Sequence, residues 1–248
     1  MQDLDYLDPF LLLDEFKSDR ADDYIAGFPS HPHRGIETVT YMLAGIMHHE
    51  DNSGASGDLG AGGIQWMTAG RGIIHSEMPK QKNGLLWGFQ LWVNLPASKK
   101  MSAPKYQNIE SEIVPIVRRE NGAVIKVIAG QVDNVRGPVT GIAADPDYLD
   151  VSLPPGGEFH HDVDSGHSVF LYLFEGSVEL DGNVLSPGNL AVFNDEGEIS
   201  VHTADKAGRF LMISGKPLNE PMARSGPFVM NSTQELKQAY EDYRSGKF

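Results

Sequence analysis

Two pairs of candidate metal ligands lie in the first third of the chain. One residue separates His31 from His33, and one residue separates His75 from Glu77. In an extended strand, side chains at positions i and i+2 point to the same face. If both stretches lie on neighbouring strands, three imidazoles and one carboxylate converge. This donor set suits iron, nickel, copper, manganese, cobalt or zinc.

Short strands are the elements expected to position these pairs. The sequence contains 27 glycines and 15 prolines, which divide it into short runs rich in β-branched and aromatic residues. This pattern is typical of an all-β sandwich or barrel. The clearest predicted strands are residues 36–43, 86–93, 124–129, 148–153, 168–174, 190–193 and 210–214.

One helix is predicted near the C-terminus. Ser232 or Thr233 can cap it, and Glu235 follows at the spacing of a capping box. Apolar residues then recur on one face until Gly246, where the helix is expected to end.

The two halves of the sequence share a layout, which indicates two similar barrels in tandem. Each half has a histidine-bearing turn, an apolar strand and a glycine-rich turn. Residues 97–113 lack strand alternation and resemble a linker. The expected domains are a metal-binding barrel over residues 1–115 and a barrel without metal over residues 116–248 that carries the terminal helix.

The histidines of the second half do not form a same-face pair. His160 and His161 are adjacent, so their side chains should point to opposite faces of a strand. His167 and His202 are isolated in the sequence. In the first half, the segment from His49 to Asp51 is predicted to be a solvated turn, with a role near the metal as the alternative.

The composition excludes several classes of function. Lys and Arg total 20 against 34 Asp and Glu, which gives a net charge of −14. Nucleic acid backbones and anionic membranes require a basic surface, so neither partner is expected. The absence of cysteine excludes disulfides and thiolate sites. No apolar run approaches the roughly 20 residues of a membrane span, and the acidic residues 1–5 do not resemble a signal peptide. A soluble, cytoplasmic protein is expected.

Several long runs resemble the pirin family. They are LDPFLLLDEF at 7–16, GFPSHPHRGIETVTY at 27–41, QWMTAGRGIIHSEMP at 65–79, GFQLWVNLP at 88–96 and GPFVMNS at 226–232. Pirins are bicupins, so the resemblance implies two tandem cupin barrels of the jelly-roll type with a C-terminal helix. It also implies that the metal lies in the first barrel, on His31, His33, His75 and Glu77. Other cupins often take the carboxylate from the first motif, here Glu37, and its even spacing from both histidines leaves that alternative open.

The resemblance implies two alternative functions. Several pirins are dioxygenases that open the flavonol quercetin, which would make Glu77 the catalytic base, Fe(II) the first expected metal, and a small phenolic and dioxygen the substrates. Other pirins act through protein partners as metal- or redox-sensing regulators. The expected substrate pocket consists of Phe28, Met47, Trp66, Phe89 and Gln90, with Trp87 and Trp92 as further candidates.

Overall fold

A computed structural model describes residues 6–81, 83–193 and 197–248; the acidic residues 1–5 fall outside this range. The first strands are β1 (Phe10–Ser18), β2 (Phe28–His33), β3 (Ile36–Ala44), β4 (Met47–Asp51), β5 (Ser56–Leu59), β6 (Ile64–Thr68), β7 (Ile73–Pro79), β8 (Leu86–Asn94) and β9 (Lys105–Ile109). The next are β10 (Ile116–Arg118), β11 (Val124–Ala129), β12 (Gln131–Val132), β13 (Val135–Arg136), β14 (Asp147–Leu153), β15 (Glu158–Asp162), β16 (Ser168–Gly176), β17 (Val178–Leu180), β18 (Asn183–Leu185), β19 (Asn189–Phe193), β20 (Glu198–His202), β21 (Gly208–Gly215), β22 (Ala223–Ser225) and β23 (Phe228–Met230). The helices are α1 (Ala21–Tyr24), α2 (Thr233–Arg244) and the 3-10 turns Ala97–Lys99 and Ser111–Ile113.

The chain folds as two compact units. The first comprises Met1–Ser111 and Leu218–Phe248, and the second comprises Glu112–Pro217. The sequence-based boundaries assign the terminal helix to the second barrel, whereas the structure assigns it to the first unit. Arg34, between β2 and β3, contributes to this assignment: it forms a 2.9 Å ion pair with Asp242 of α2 and lies over the ring of Phe248. Long-range contacts of this kind leave no local sequence pattern.

The first unit is a sandwich of two antiparallel sheets. One sheet has the strand order β1-β8-β3-β6-β9, and the other has the order β2-β7-β4-β5. Hydrogen bonds between side chains on the facing sides join the sheets; Thr40 of β3, for example, donates to Glu77 of β7 at 2.8 Å. The candidate ligands therefore lie on the second sheet and face the first.

Strand β9 lies inside the segment that the sequence predicts to be a linker. It pairs with β6 at the edge of the first sheet, with Tyr106 opposite Met67. Its exposure alternates only weakly, because an edge strand buries few side chains and this one carries Lys105, Gln107 and Asn108. The hydrophobic period that would reveal the strand is therefore missing from the sequence.

A buried lysine joins three parts of the first unit. Lys100 donates hydrogen bonds from Nζ to the Gly35 carbonyl at 2.9 Å, to Asn94 Oδ1 at 2.7 Å and to the Val229 carbonyl at 2.9 Å. Burial lowers the pKa of Lys100 to about 8, although Glu220 and Glu235 act in the opposite direction. The ammonium group thus connects the β2–β3 turn, the end of β8 and β23.

Replacing Lys100 by methionine is expected to lower the free energy of unfolding near neutral pH by about 2–4 kcal/mol, because three acceptors lose their donor. The difference should widen above pH 8. There the unfolded chain still holds a proton that the folded protein has released, so the wild type gains stability with rising pH and the variant does not. Urea unfolding followed by tryptophan fluorescence at neutral and alkaline pH measures both effects. The exposed Lys99→Met is the matched control, and equal stability of the two variants would contradict the prediction.

The second unit is also a two-sheet β structure. Its sheets have the orders β10-β11-β14-β21-β16-β19 and β15-β20-β17-β18. A core of valine, leucine, isoleucine and phenylalanine side chains fills it, including Val151, Leu171, Phe159 and Phe210. His161 points inward and bonds to Asp147 at 3.1 Å.

The expected all-β fold with two barrels and a C-terminal helix is confirmed. Ser232 is the cap of α2: its Oγ accepts a hydrogen bond from the Glu235 amide at 3.3 Å, while the Glu235 carboxylate accepts one from the Asn231 amide at 3.0 Å. The helix ends at Arg244, two residues before Gly246, which has a φ of +70°. Within the described ranges, no helix combines the length and the apolar character that crossing a bilayer requires.

Candidate metal centre

Strands β2 and β7 are direct neighbours, and this pairing brings His31, His33 and His75 together, whereas Glu77 lies outside the group of donor atoms that are within 4.8 Å of one another. His31 lies opposite His75, His33 lies opposite Ile73, and Phe28 lies opposite Glu77 after an irregularity in β2. Along β7 the buried positions are Ile73, His75 and Glu77. Strand alternation therefore directs His75 and Glu77 to the same inner face.

Three imidazoles form a compact group. One ring nitrogen from each of His31, His33 and His75 lies within 4.8 Å of the other two. The Nε2 atoms of His31 and His33 are 3.0 Å apart. His31 Nδ1 lies 2.8 Å from the Pro29 carbonyl, to which it can donate, and this leaves Nε2 directed at the group.

The local environment favours neutral imidazoles. Burial, followed by His75 and His31, holds the pKa of His33 well below its usual value. Burial also lowers the pKa of His75 to about 4, assisted by His31 and His49 and opposed by Glu77. Neutral imidazole is the form that binds a metal.

Unpartnered nitrogen atoms test whether a metal fits here. Both ring nitrogens of His75 are buried and have no hydrogen-bond partner among the described residues. Leaving a buried polar atom unsatisfied costs about 1–3 kcal/mol. A divalent cation would satisfy the nitrogens that face the group, so the residues present fit a metal ion.

Glu77 is held in place from the opposite sheet. Thr40 Oγ1 donates to Glu77 Oε1 at 2.8 Å, and Gln90 Nε2 donates to Oε2 at 2.8 Å. Trp92 Nε1 donates to Gln90 Oε1 at 3.1 Å and so fixes the orientation of that amide. The carboxylate shares the inner face with His75, and neutral donors satisfy each of its oxygens.

Glu37 lies on the other face of its sheet. Its carboxylate accepts hydrogen bonds from Thr68 Oγ1 at 2.7 Å and from Trp66 Nε1 at 3.1 Å, and burial raises its pKa. Even spacing does not place Glu37 on the same face as His31 and His33. The turn at Gly35, with a φ of +79°, separates β2 from β3 and resets the alternation of side chains. Glu37 therefore lies outside the group of candidate ligands.

The structure divides the expected pocket residues. Phe28 and Met47 belong to an apolar cluster with Tyr24, Met42 and Leu86, and Gln90 contacts Glu77. Trp66 and Phe89 instead share the face of Glu37: Trp66 pairs with Val39 in register, and Phe89 pairs with Tyr41. These two aromatic residues do not line the ligand-bearing interior, because each lies one position away from an inward-facing residue.

His49 lies beside the candidate ligands, although the sequence pattern predicts a solvated turn at this position. It belongs to β4, directly opposite Glu77, and not to a solvated turn. Its Nδ1 accepts a hydrogen bond from Gln65 Nε2 at 2.8 Å, and its ring stacks on Tyr106 at 6.1 Å. The segment lacks hydrophobic alternation because its inward positions line a polar interior.

Trp92 is a second residue that the structure brings to the centre. Its ring packs edge-on against His33 at a centroid distance of 5.0 Å. The sequence contains a signal for this placement, since Trp92 follows Gln90 at the i+2 spacing of one strand face. Trp87, the other further candidate, bonds to Glu15 on β1.

Comparison with known proteins identifies the family. Residues 1–93 match the pirin family model, and residues 148–248 match the model of the pirin C-terminal cupin domain. A Pseudomonas aeruginosa relative, provisionally named a quercetin 2,3-dioxygenase, is 49% identical over 246 residues, which cover 96% of this chain and 86% of the relative. The chain belongs to the pirin family. A pirin-like protein from Caulobacter vibrioides is 47% identical over 242 residues and covers 97% of this pirin and 87% of its own length.

A solved structure supports the same assignment. The crystal structure of a quercetin 2,3-dioxygenase from Acinetobacter baumannii matches this pirin with a TM-score of 0.90 at 37% identity. The match covers 98% of this chain and 86% of the other. The expected bicupin fold is thereby confirmed.

Proposed function

We propose that this pirin is a metal-dependent dioxygenase that opens quercetin or a related phenolic, with one divalent ion held by His31, His33, His75 and Glu77. The group of three inward-facing imidazoles, with buried nitrogens that lack partners among the described residues, carries this proposal. The names of two relatives support the substrate class. Fe(II) is the ion we expect first, and Ni, Co, Mn, Cu and Zn suit the same donors.

The hydrogen bonds that hold Glu77 suit its role as a general base. A bound divalent ion would supply Lewis-acid polarisation of a phenolic hydroxyl and a partner for dioxygen. Glu77 would accept the proton of that hydroxyl at its carboxylate. Thr40 and Gln90 hold its two oxygens, so the carboxylate keeps one orientation while it takes and returns the proton.

Apolar side chains beyond Glu77 suit a flat aromatic substrate. Phe28 lies opposite Glu77 in register, and Met47 lies opposite Pro79, further along β7. Phe16 packs edge-on against Phe28 at 6.3 Å. These side chains would exclude water around the aromatic rings, and Gln90 supplies the polar contact.

Quercetin turnover tests the proposal. The metal-free protein is loaded anaerobically with Fe(II), Ni(II), Co(II) or Mn(II), metal occupancy is measured, and the loss of quercetin absorbance is followed in air. We expect turnover with at least one metal, above that of the free metal and of heat-denatured protein. A fully occupied site without turnover for any metal would overturn the dioxygenase proposal for this substrate.

A regulatory role through a protein partner is the alternative. The net charge of −14 favours a basic partner. An occupied site without turnover would favour this role. In either case we expect the protein to act in the cytoplasm, because a chain without cysteine forms no disulfides and needs no oxidising environment.

A further inference from the structure

The outer face of the second unit carries a row of polar side chains on two adjacent strands. In the β15–β20 pair, Glu158 lies opposite His202, His160 opposite Ser200, and Asp162 opposite Glu198. These alternate positions point outward, whereas the intervening Phe159, His161, Ile199 and Val201 are buried. Strand pairing thus brings His202, which is isolated in the sequence, beside His160.

The two histidines share a carboxylate. Glu158 Oε2 lies 3.6 Å from His160 Nε2 and 3.9 Å from His202 Nδ1. The two rings meet edge to face with their centroids 5.9 Å apart. A second carboxylate oxygen, Oε1 of Glu198, lies 2.9 Å from His160 Nδ1.

Ser200 orients one of these rings. Its hydroxyl lies 3.0 Å from His202 Nε2, so that nitrogen already has a partner, and Nδ1 is the one directed at Glu158. A hydrogen bond of this kind fixes the ring orientation of a metal-binding histidine. The inner neighbour His161 is committed to Asp147 at 3.1 Å and is not part of this arrangement.

We propose that His160, His202 and Glu158 form a surface site for a divalent transition metal such as Zn²⁺, with Glu198 in support, separate from the three-histidine group of the first unit. Donor atoms around a tetrahedral Zn²⁺ lie about 3.3 Å apart, given metal–ligand distances of about 2.0–2.2 Å. The observed 3.6 Å and 3.9 Å separations of Glu158 from the two imidazoles exceed this value, so both rings must rotate toward the carboxylate before the three donors can reach one ion. The rings have room to rotate, because the side chains of His160 and His202 are 42% and 50% exposed.

Zinc stoichiometry in a set of full-length variants tests this site. Titration calorimetry and elemental analysis after dialysis are expected to give two Zn²⁺ equivalents for the wild type. His33→Ala/His75→Ala, which removes the inner group, should retain one equivalent. Adding His160→Ala/His202→Ala should remove that equivalent or weaken its binding at least tenfold. Cu²⁺ bound to the inner-site variant should show electron paramagnetic resonance couplings from two nitrogens.

Controls separate the site from general histidine binding and from loss of fold. His167→Ala, on the same unit but away from this strand pair, should leave the remaining equivalent in place. His202→Asn keeps a polar side chain, and its circular dichroism should match that of the parent. If the inner-site variant binds no zinc, or if zinc binding persists after both His160 and His202 are replaced, the surface site does not exist.

Discussion

Replacing His33 by alanine is expected to abolish stoichiometric metal binding in the first unit. His33 is buried and shares the inner space with His31, at 3.0 Å between Nε2 atoms, and with His75. Its loss leaves one imidazole fewer and a cavity that water can enter. We expect affinity for the first-unit metal to fall at least 100-fold, more than the roughly 10–100-fold effect of removing a residue that only orients a ligand. Elemental analysis after dialysis measures this loss.

The metal content of the His33 variant must be measured in protein that lacks the proposed surface site of the second unit. The comparison is therefore made in His160→Ala/His202→Ala protein, where a single equivalent is expected before His33 is changed. His48→Ala is the matched control, because His48 lies on the outer side of β4 and bonds to Asp58 at 2.6 Å. Unchanged metal content in the His33 variant would show that the metal binds elsewhere.

The i and i+2 spacing of the candidate ligands could be interpreted from sequence because β-strand alternation is strictly local. That rule places His75 and Glu77 on one face, as the buried positions of β7 show. The same rule fails for Glu37, because Gly35 interrupts the strand between it and His33. The spacing of two residues predicts reliably whether their side chains share a face within one strand. Across a turn, the same spacing carries no information.

Other features depend on contacts between distant segments. Thr40 and Gln90 come from two strands of the facing sheet, and neither residue type indicates that it will bind Glu77. Strand β9 and His49 lie in polar stretches without a hydrophobic period. The position of α2 in the first unit involves the contact of Arg34 with Asp242 and the packing of Leu236 and Ala239 against Phe228. The sequence therefore predicts the strands and the ligand pairs, whereas the partners of those ligands required the structure.

The interior of the first unit is unusual because polar side chains fill much of it. Glu77, His49 and Gln65 are each paired by hydrogen bonds, whereas His75 lacks such a partner among the described residues. A buried unsatisfied group calls for an explanation such as a bound ion, and the connected polar network beside it fixes the geometry in which that group could receive the ligand. This contrast between His75 and its neighbours distinguishes the candidate metal centre from an ordinary polar core.

Exchanging Glu77 for glutamine is expected to remove most of the quercetin turnover. The amide has nearly the same shape but cannot accept the phenolic proton, and its NH₂ group would face the donor of either Thr40 or Gln90. Loss of a general base lowers rates by roughly 10²–10⁴-fold. We expect a fall of that size in kcat in metal-loaded protein, with a smaller change in KM because Phe28 and Met47 remain in place.

Glu37→Gln provides the matched control because it makes the same chemical change on the same barrel. Glu37 bonds to Thr68 and Trp66 on the opposite face of the sheet, so its exchange should leave both metal content and kcat near wild-type values. The pair of variants separates a role in the metal centre from a general effect of removing a buried carboxylate, since both side chains are buried. If Glu37→Gln loses metal or turnover while Glu77→Gln retains them, the carboxylate assignment is reversed. If both variants retain full activity, neither carboxylate is the base, and the proton must go to His49 or to solvent.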